Sequence, residues 1–147
     1  MGSIRLGPES RAWVNREPHE GALAAKGRTV AVLGCGIDRM YPPENEPLAR
    51  RIEESGAVIA EFPVGTAPDR QTFPIRNRVV SGLSQGVLVV EAPLNSGSLI
   101  TAQMALDQGR QVFAVPGRVD QAQARGCHRL LRDGARLVED AGDVLHE

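Results

Sequence analysis

The chain reads as an α/β domain, a parallel sheet with helices on both faces. Three observations carry that reading. Short, almost wholly apolar runs at 29–34, 57–61, 87–91 and 111–115 alternate with stretches of helical periodicity, which is the succession that βαβ units produce. Continuous apolar strands, lacking in/out alternation, fit a sheet covered on both faces. A length of 147 residues with 41% hydrophobic content suits one domain with a sizeable core.

Each element has a local reason. Residues 1–28 are charged and weakly periodic and are expected to be a mostly irregular N-terminal extension with a short helix over 19–25, ahead of a domain at 29–147. Tyr41-Pro42-Pro43 forbids a helix directly after the first strand. A helix over 43–55 places Leu48 and Ile52, four apart, on its inner face and stops at Gly56. Pro63, Gly65 and Pro68 make 62–73 an ordered loop, after which Pro74 occupies a favoured first helical position for a helix to about 84. On that helix Ile75, Val79, Val80 and Leu83 share one broad face, which is assigned to the core, with Asn77 and Ser81 opposite. A helix over 98–108 closes at Gly109, and a helix pair at 126–133 and 140–146 ends the chain. No internal repeat or low-complexity segment interrupts this order.

Composition narrows the function. No apolar run is long enough to span a bilayer and the N-terminus has no apolar core of a signal peptide, so a cytoplasmic protein without membrane contact is expected. Cys35 and Cys127 stand far apart without metal spacing, which predicts buried thiols and no metal site. The net charge of −1 hides an uneven distribution. Glu44, Glu46, Glu53, Glu54 and Glu61 cluster early, whereas Arg70, Arg76, Arg78, Arg110, Arg118, Arg125, Arg129, Arg132 and Arg136 dominate later. Lys26 is the sole lysine, and a guanidinium grips phosphate through a planar fork that an ammonium lacks.

Gly34-Cys35-Gly36 after a strand suggests a dinucleotide loop, but Arg39 takes the third glycine position and Pro42-Pro43 replace the helix start, so a tight turn is expected. Asn95-Ser96-Gly97-Ser98 follows a strand's carboxyl end and opens a helix, where free N–H groups can meet an anion and where Ser96 or Ser98 can cap. Arg76 and Arg78, two apart, diverge, so one of them can instead pair with Glu61 or Glu91. Phe73 either stacks on a base or staples the helix entrance. Arg125, Arg129 and Arg132 form a stripe that is either a solvated face or a phosphate contact, and His128 has a hydrogen-bonding role. Glu91 has no partner acid or histidine nearby in sequence, so no catalytic set is assigned and no enzyme is expected.

These stretches together resemble the DNA-processing protein A (DprA, or Smf) family. The matching segments are Thr-Val-Ala-Val-Leu-Gly-Cys-Gly-Ile-Asp with Tyr-Pro-Pro-Glu-Asn, Glu61-Phe62-Pro63 with Gly65-Thr66, Phe-Pro-Ile-Arg-Asn-Arg-Val-Val-Ser-Gly-Leu-Ser, Val-Val-Glu-Ala with Ser-Gly-Ser-Leu-Ile-Thr-Ala, Val-Phe-Ala-Val-Pro-Gly, and Gly-Cys-His-Arg-Leu-Leu-Arg-Asp-Gly-Ala, in family order. The resemblance implies a Rossmann-like domain, N-terminally truncated relative to the family, that binds single-stranded DNA without sequence preference and loads the RecA recombinase during natural transformation. It implies no cofactor. Carried over by position, the DNA groove would use Tyr41, Asn45, Arg70, Phe73, Arg76, Asn77, Arg78, Ser96, Gly97 and Ser98, joined by Arg125 and Arg129 of the basic stripe. Leu137, Val144 and Leu145, with little following sequence to cover them, form an expected homodimer interface. The family's first strands with their Gly-Ser-Arg loop have no counterpart before His19, Pro43 stands where some members carry a basic residue, and no winged helix follows Glu147. A smaller, rearranged sheet or an edge completed by a partner is therefore expected. Two rivals stand beside this reading: a nucleotide phosphoribohydrolase of similar architecture, of whose glycine-rich loop only Pro116-Gly117 is present, and a dimerisation module without DNA binding.

Overall fold

A computed structural model describes residues 16–145. The strands are β1 (Val30–Leu33), β2 (Ala57–Ala60), β3 (Gly86–Val89), β4 (Gln111–Ala114) and β5 (Arg136–Leu137), all pairing in parallel. The helices are α1 (Arg16–Ala24), α2 (Glu46–Glu53), α3 (Thr72–Leu83), α4 (Gly97–Asp107), α5 (Arg125–Arg132) and α6 (Gly142–Leu145). This is the expected α/β, Rossmann-like architecture. The strand β5, beside β4, was not expected; two residues are too short to leave a pattern in the sequence.

The sheet is divided. The strand β1 pairs with β2, and β3, β4 and β5 form a second ladder in that order, with no ladder between β1 and β3 among the described residues. Around the second ladder Val87, Val89, Val112 and Ala114 pack with Ala102 and Ala105 of α4 and Cys127 and Leu130 of α5. In β4 the neighbours Val112 and Phe113 point to opposite faces and both are buried, so that strand is covered on both sides. Around β1, Ala31 packs with Leu48 and Ile52 of α2, joined by Leu23 of α1 and Val58 of β2. Most of the expected 1–28 extension precedes the described residues, and its helix, α1, lies on this core. No described helix is long and apolar enough to cross a membrane.

Two corrections concern α3. It starts at Thr72, so Pro74 stands third rather than first; the first four N–H groups of a helix have no intrahelical acceptor, and proline costs nothing at any of them. Its faces are also opposite to the expected ones. Arg76, Asn77 and Ser81 are its buried residues, while Ile75 is 47% and Leu83 66% exposed. The cause lies in β1. Backbone groups of alternate residues point to opposite strand edges, and Ala57 N–H donates to the Thr29 carbonyl, so the carbonyls of Val32 and Gly34 face away from β2. No described strand meets them. Instead Thr72 Oγ1 donates to the Gly34 carbonyl at 2.5 Å, and Arg76 Nη1 donates to that of Val32. A helix with its apolar face inward would leave both carbonyls without a donor, at roughly 1–3 kcal/mol each.

The helices α3 and α4 run side by side in the same direction. Near their carboxyl ends Ser81 Oγ donates to Gln108 Oε1 at 2.7 Å, Gln108 Nε2 to the Arg78 carbonyl at 2.9 Å, and Arg110 Nη2 to the Gly82 carbonyl at 2.8 Å. Their amino ends therefore emerge together, on the side of the strand carboxyl ends, and this brings the expected site residues to one face of the molecule.

Candidate nucleic-acid interface

The loops after β1 and β2 interlock. Gly36 N–H donates to the Thr66 carbonyl at 2.9 Å, and Gly65 N–H to Asp38 Oδ1 at 2.7 Å. Gly34 lies against the Phe73 ring, where a Cβ would sit 2.7 Å from a ring carbon, and a Cβ on Gly36 would sit 2.7 Å from the Pro63 carbonyl oxygen. These glycines serve close approach of the neighbouring loop and helix. Phe73 is thus the staple of the two roles weighed for it, and the Arg76 guanidinium lies 5.9 Å from its ring centroid.

Arg70 is exposed, with no ion-pair or hydrogen-bond partner among the described residues, on a turn that holds it out. Asp69 Oδ1 accepts from Gln71 N–H at 2.7 Å and Thr72 Oγ1 accepts from Asp69 N–H at 3.2 Å. This is turn chemistry of the Asx type, and Pro68-Asp69 is its signal in the sequence. Thr72 itself went unnoticed there, because its role depends on the β1 edge.

The loop after β3 holds the expected cap. Ser96 caps α4 by accepting from Ser98 N–H at 3.1 Å, its hydroxyl donates to that of Ser98 at 2.9 Å, and Gly97 is exposed with nothing near its Cβ position. The amino end of α5 docks beside it: Gly126 N–H donates to the Ala92 carbonyl at 2.7 Å. That seats Arg125, exposed and with no ion-pair or hydrogen-bond partner among the described residues, beside the end of β3. An arginine at the first position of a helix opposes the dipole there, so local stability does not explain its place. None of α3, α4 and α5 carries an acid in its first turn, although several of their first N–H groups are already engaged: that of Arg125 by the Ala122 carbonyl, that of Gly126 by the Ala92 carbonyl and that of Ser98 by Ser96 Oγ. Around the same loops His128 Nε2 and the Gly117 carbonyl are 2.8 Å apart, the expected hydrogen-bonding role.

The remaining expected residues divide. Tyr41 is exposed at the β1 loop, while Asn45 and Ser98 are buried. Arg78 is exposed but ion-paired with Glu61, one of the two partners considered, and Arg129 reaches Asp133 at 3.6 Å. Arg76 and Asn77, expected on the groove wall, lie inside it at 5% and 8% exposure, joined by a bond of 3.0 Å from Arg76 Nε to Asn77 Oδ1. No carboxylate pairs with Arg76 among the described residues. Burial pulls its pKa down to about 10, which leaves it charged at neutral pH. These two residues lie beneath the surface of α3, a direction that spacing alone did not show. Both cysteines are buried thiols, and burial pushes their pKa values up.

Comparison with known proteins identifies the fold and the family. The model of the DNA recombination-mediator protein A family matches residues 13–147. The chain belongs to that family. It is 42% identical over 134 residues to DNA processing protein DprA of Streptococcus pneumoniae and 47% identical over 128 residues to protein Smf of Escherichia coli, aligning 91% and 86% of its own length. It spans only 48% and 34% of those two relatives. The X-ray structure of S. pneumoniae DprA superposes with a TM-score of 0.85 at 39% identity, covering 99% of this chain and 50% of that one. The structure of DNA processing protein A from Helicobacter pylori, described for its single-stranded DNA binding mode, superposes at 0.79 with 28% identity, covering 90% of this chain and 60% of that one. Family membership favours the resemblance read from the motifs over the phosphoribohydrolase rival.

Proposed function

We propose that the face at the strand carboxyl ends binds single-stranded DNA without sequence preference, and that the chain acts, without catalysis, in mediating RecA assembly on that strand. One observation carries the reading: Arg70 and Arg125, exposed and without ion-pair partners among the described residues, flank helix amino ends that carry no first-turn acid. Arginine forks and backbone N–H groups recognise phosphate and ask nothing of the base. Tyr41 adds an exposed aromatic on which a base can stack. The single-stranded binding mode described for the H. pylori relative supports the same class of ligand.

Fluorescence anisotropy with a labelled oligonucleotide tests this. Affinity is expected to fall steeply with salt and to vary little with sequence, and Arg70→Ala should weaken binding uniformly while lowering the salt slope by about 0.7. Equal affinity for duplex and single strand, or indifference to salt, would refute it. RecA loading is tested by filament assembly on strands coated with single-strand binding protein. Homodimerisation through Leu137, Val144 and Leu145 belongs to the same proposal, supported by the exposure of Leu137 and Leu145; a monomer at high concentration in analytical ultracentrifugation would end it.

A further inference from the structure

Five of the six ion pairs among the described residues join sequence neighbours no more than four apart: Arg16–Glu20, Arg39–Asp38, Arg50–Glu46, Arg118–Asp120 and Arg129–Asp133. The sixth joins Arg78 of α3 to Glu61, the residue after β2, across 17 positions. The backbone of Arg78 is anchored, since its carbonyl accepts from Gln108 Nε2 at 2.9 Å. Only its side chain can change partner. Helical side chains lean toward the amino end, which carries this guanidinium toward the strand carboxyl ends, where Glu61 stands. Both side chains are about half exposed, at 52% and 44%, so the pair is solvated and breaks at little cost. A carboxylate presents to a guanidinium the same fork of oxygens that a phosphodiester does.

We propose that Glu61 is an internal competitor for Arg78, occupying the guanidinium until a DNA phosphate displaces it and so setting the affinity of the interface. The proposal rests on the single-stranded DNA reading above. Its test is a double-variant cycle by anisotropy with a labelled oligothymidylate, using the wild type, Glu61→Gln, Arg78→Ala and the double variant over a range of salt. Glu61→Gln is expected to bind about two- to fivefold tighter, the scale of an exposed pair. Its salt slope should stay unchanged, because Arg78 neutralises the same phosphate in both proteins once Glu61 is displaced, whereas Arg78→Ala should lower the slope by about 0.7. The gain in affinity should vanish when Arg78 is also alanine. A gain of equal size in the Arg78→Ala background would overturn the proposal, making Glu61 a general repulsive charge. Unchanged or weaker binding by Glu61→Gln would overturn it too, and a lowered Tm in that variant would assign the pair to structure. Wild-type binding unaffected by Glu61→Gln removes only this proposal, whereas binding by neither protein removes the DNA reading with it.

Discussion

Arg76 shows how one side chain can change role between spacing and structure. As a wall residue its loss would cost DNA affinity alone; as the donor to the Val32 carbonyl and to Asn77 it holds β1 to α3. Arg76→Ala is therefore expected to lower stability by about 2–4 kcal/mol, since it leaves buried acceptors without donors. Ile75→Ala, at an exposed position, should change stability by less than about 0.5 kcal/mol. Thermal melts of the two variants check the helix faces directly. The same arginine acts on His19, whose Nδ1 lies 2.7 Å from Thr29 Oγ1. Burial, and then the nearby Arg76 charge, lower its pKa below 6.5. Between that lowered value and 6.5 the unfolded chain binds more protons than the folded one, so stability rises with pH across the window. Tm should accordingly fall as pH drops below about 6.5. His19→Gln should flatten that part of the profile, and a wild-type profile with no such fall would contradict the burial of His19.

At the scale of elements, the amino end of α5 depends on one glycine. A Cβ on Gly126 would sit 2.4 Å from the Ala92 carbonyl oxygen, the same atom that accepts the Gly126 N–H at 2.7 Å. Neither side can withdraw without breaking that bond. Gly126→Ala is expected to cost about 1–3 kcal/mol as an overpacked contact and to reduce DNA binding with it, because Arg125 moves with the helix. Gly97 offers the contrast. Its Cβ position is empty, so Gly97→Ala should leave Tm unchanged while weakening anion contact at the exposed start of α4. Parallel melts and anisotropy separate the two outcomes; a Gly97→Ala variant that binds normally would remove the α4 start from the interface.

The whole molecule carries a divided sheet. Among the described residues the strands β1 and β3 each pair on one side only, and the chain covers 50% of the S. pneumoniae structure on which it superposes. Open edges seek backbone partners. Extending this chain at its N-terminus with the strands of a longer relative should raise both Tm and DNA affinity. If the 147-residue chain melts cooperatively as a monomer and binds as tightly as the extended form, the divided sheet is sufficient by itself.

Local chemistry determined much of this protein from the sequence. The strand and helix order, the Leu48 and Ile52 face of α2 and the Ser96 cap all rest on interactions within a few residues or on simple periodicity, and the structure contains each of them. Motif order likewise carried the family. The tertiary structure alone decided which way α3 faces, which arginines remain unpaired and that β5 exists. Periodicity assigns an apolar stripe to the core by assuming the nearest sheet offers an apolar surface, whereas beside α3 lies a strand edge whose carbonyls require donors. Hydrogen-bond demand at that edge, which no described strand meets, turned Arg76 inward and left Ile75 and Leu83 in solvent.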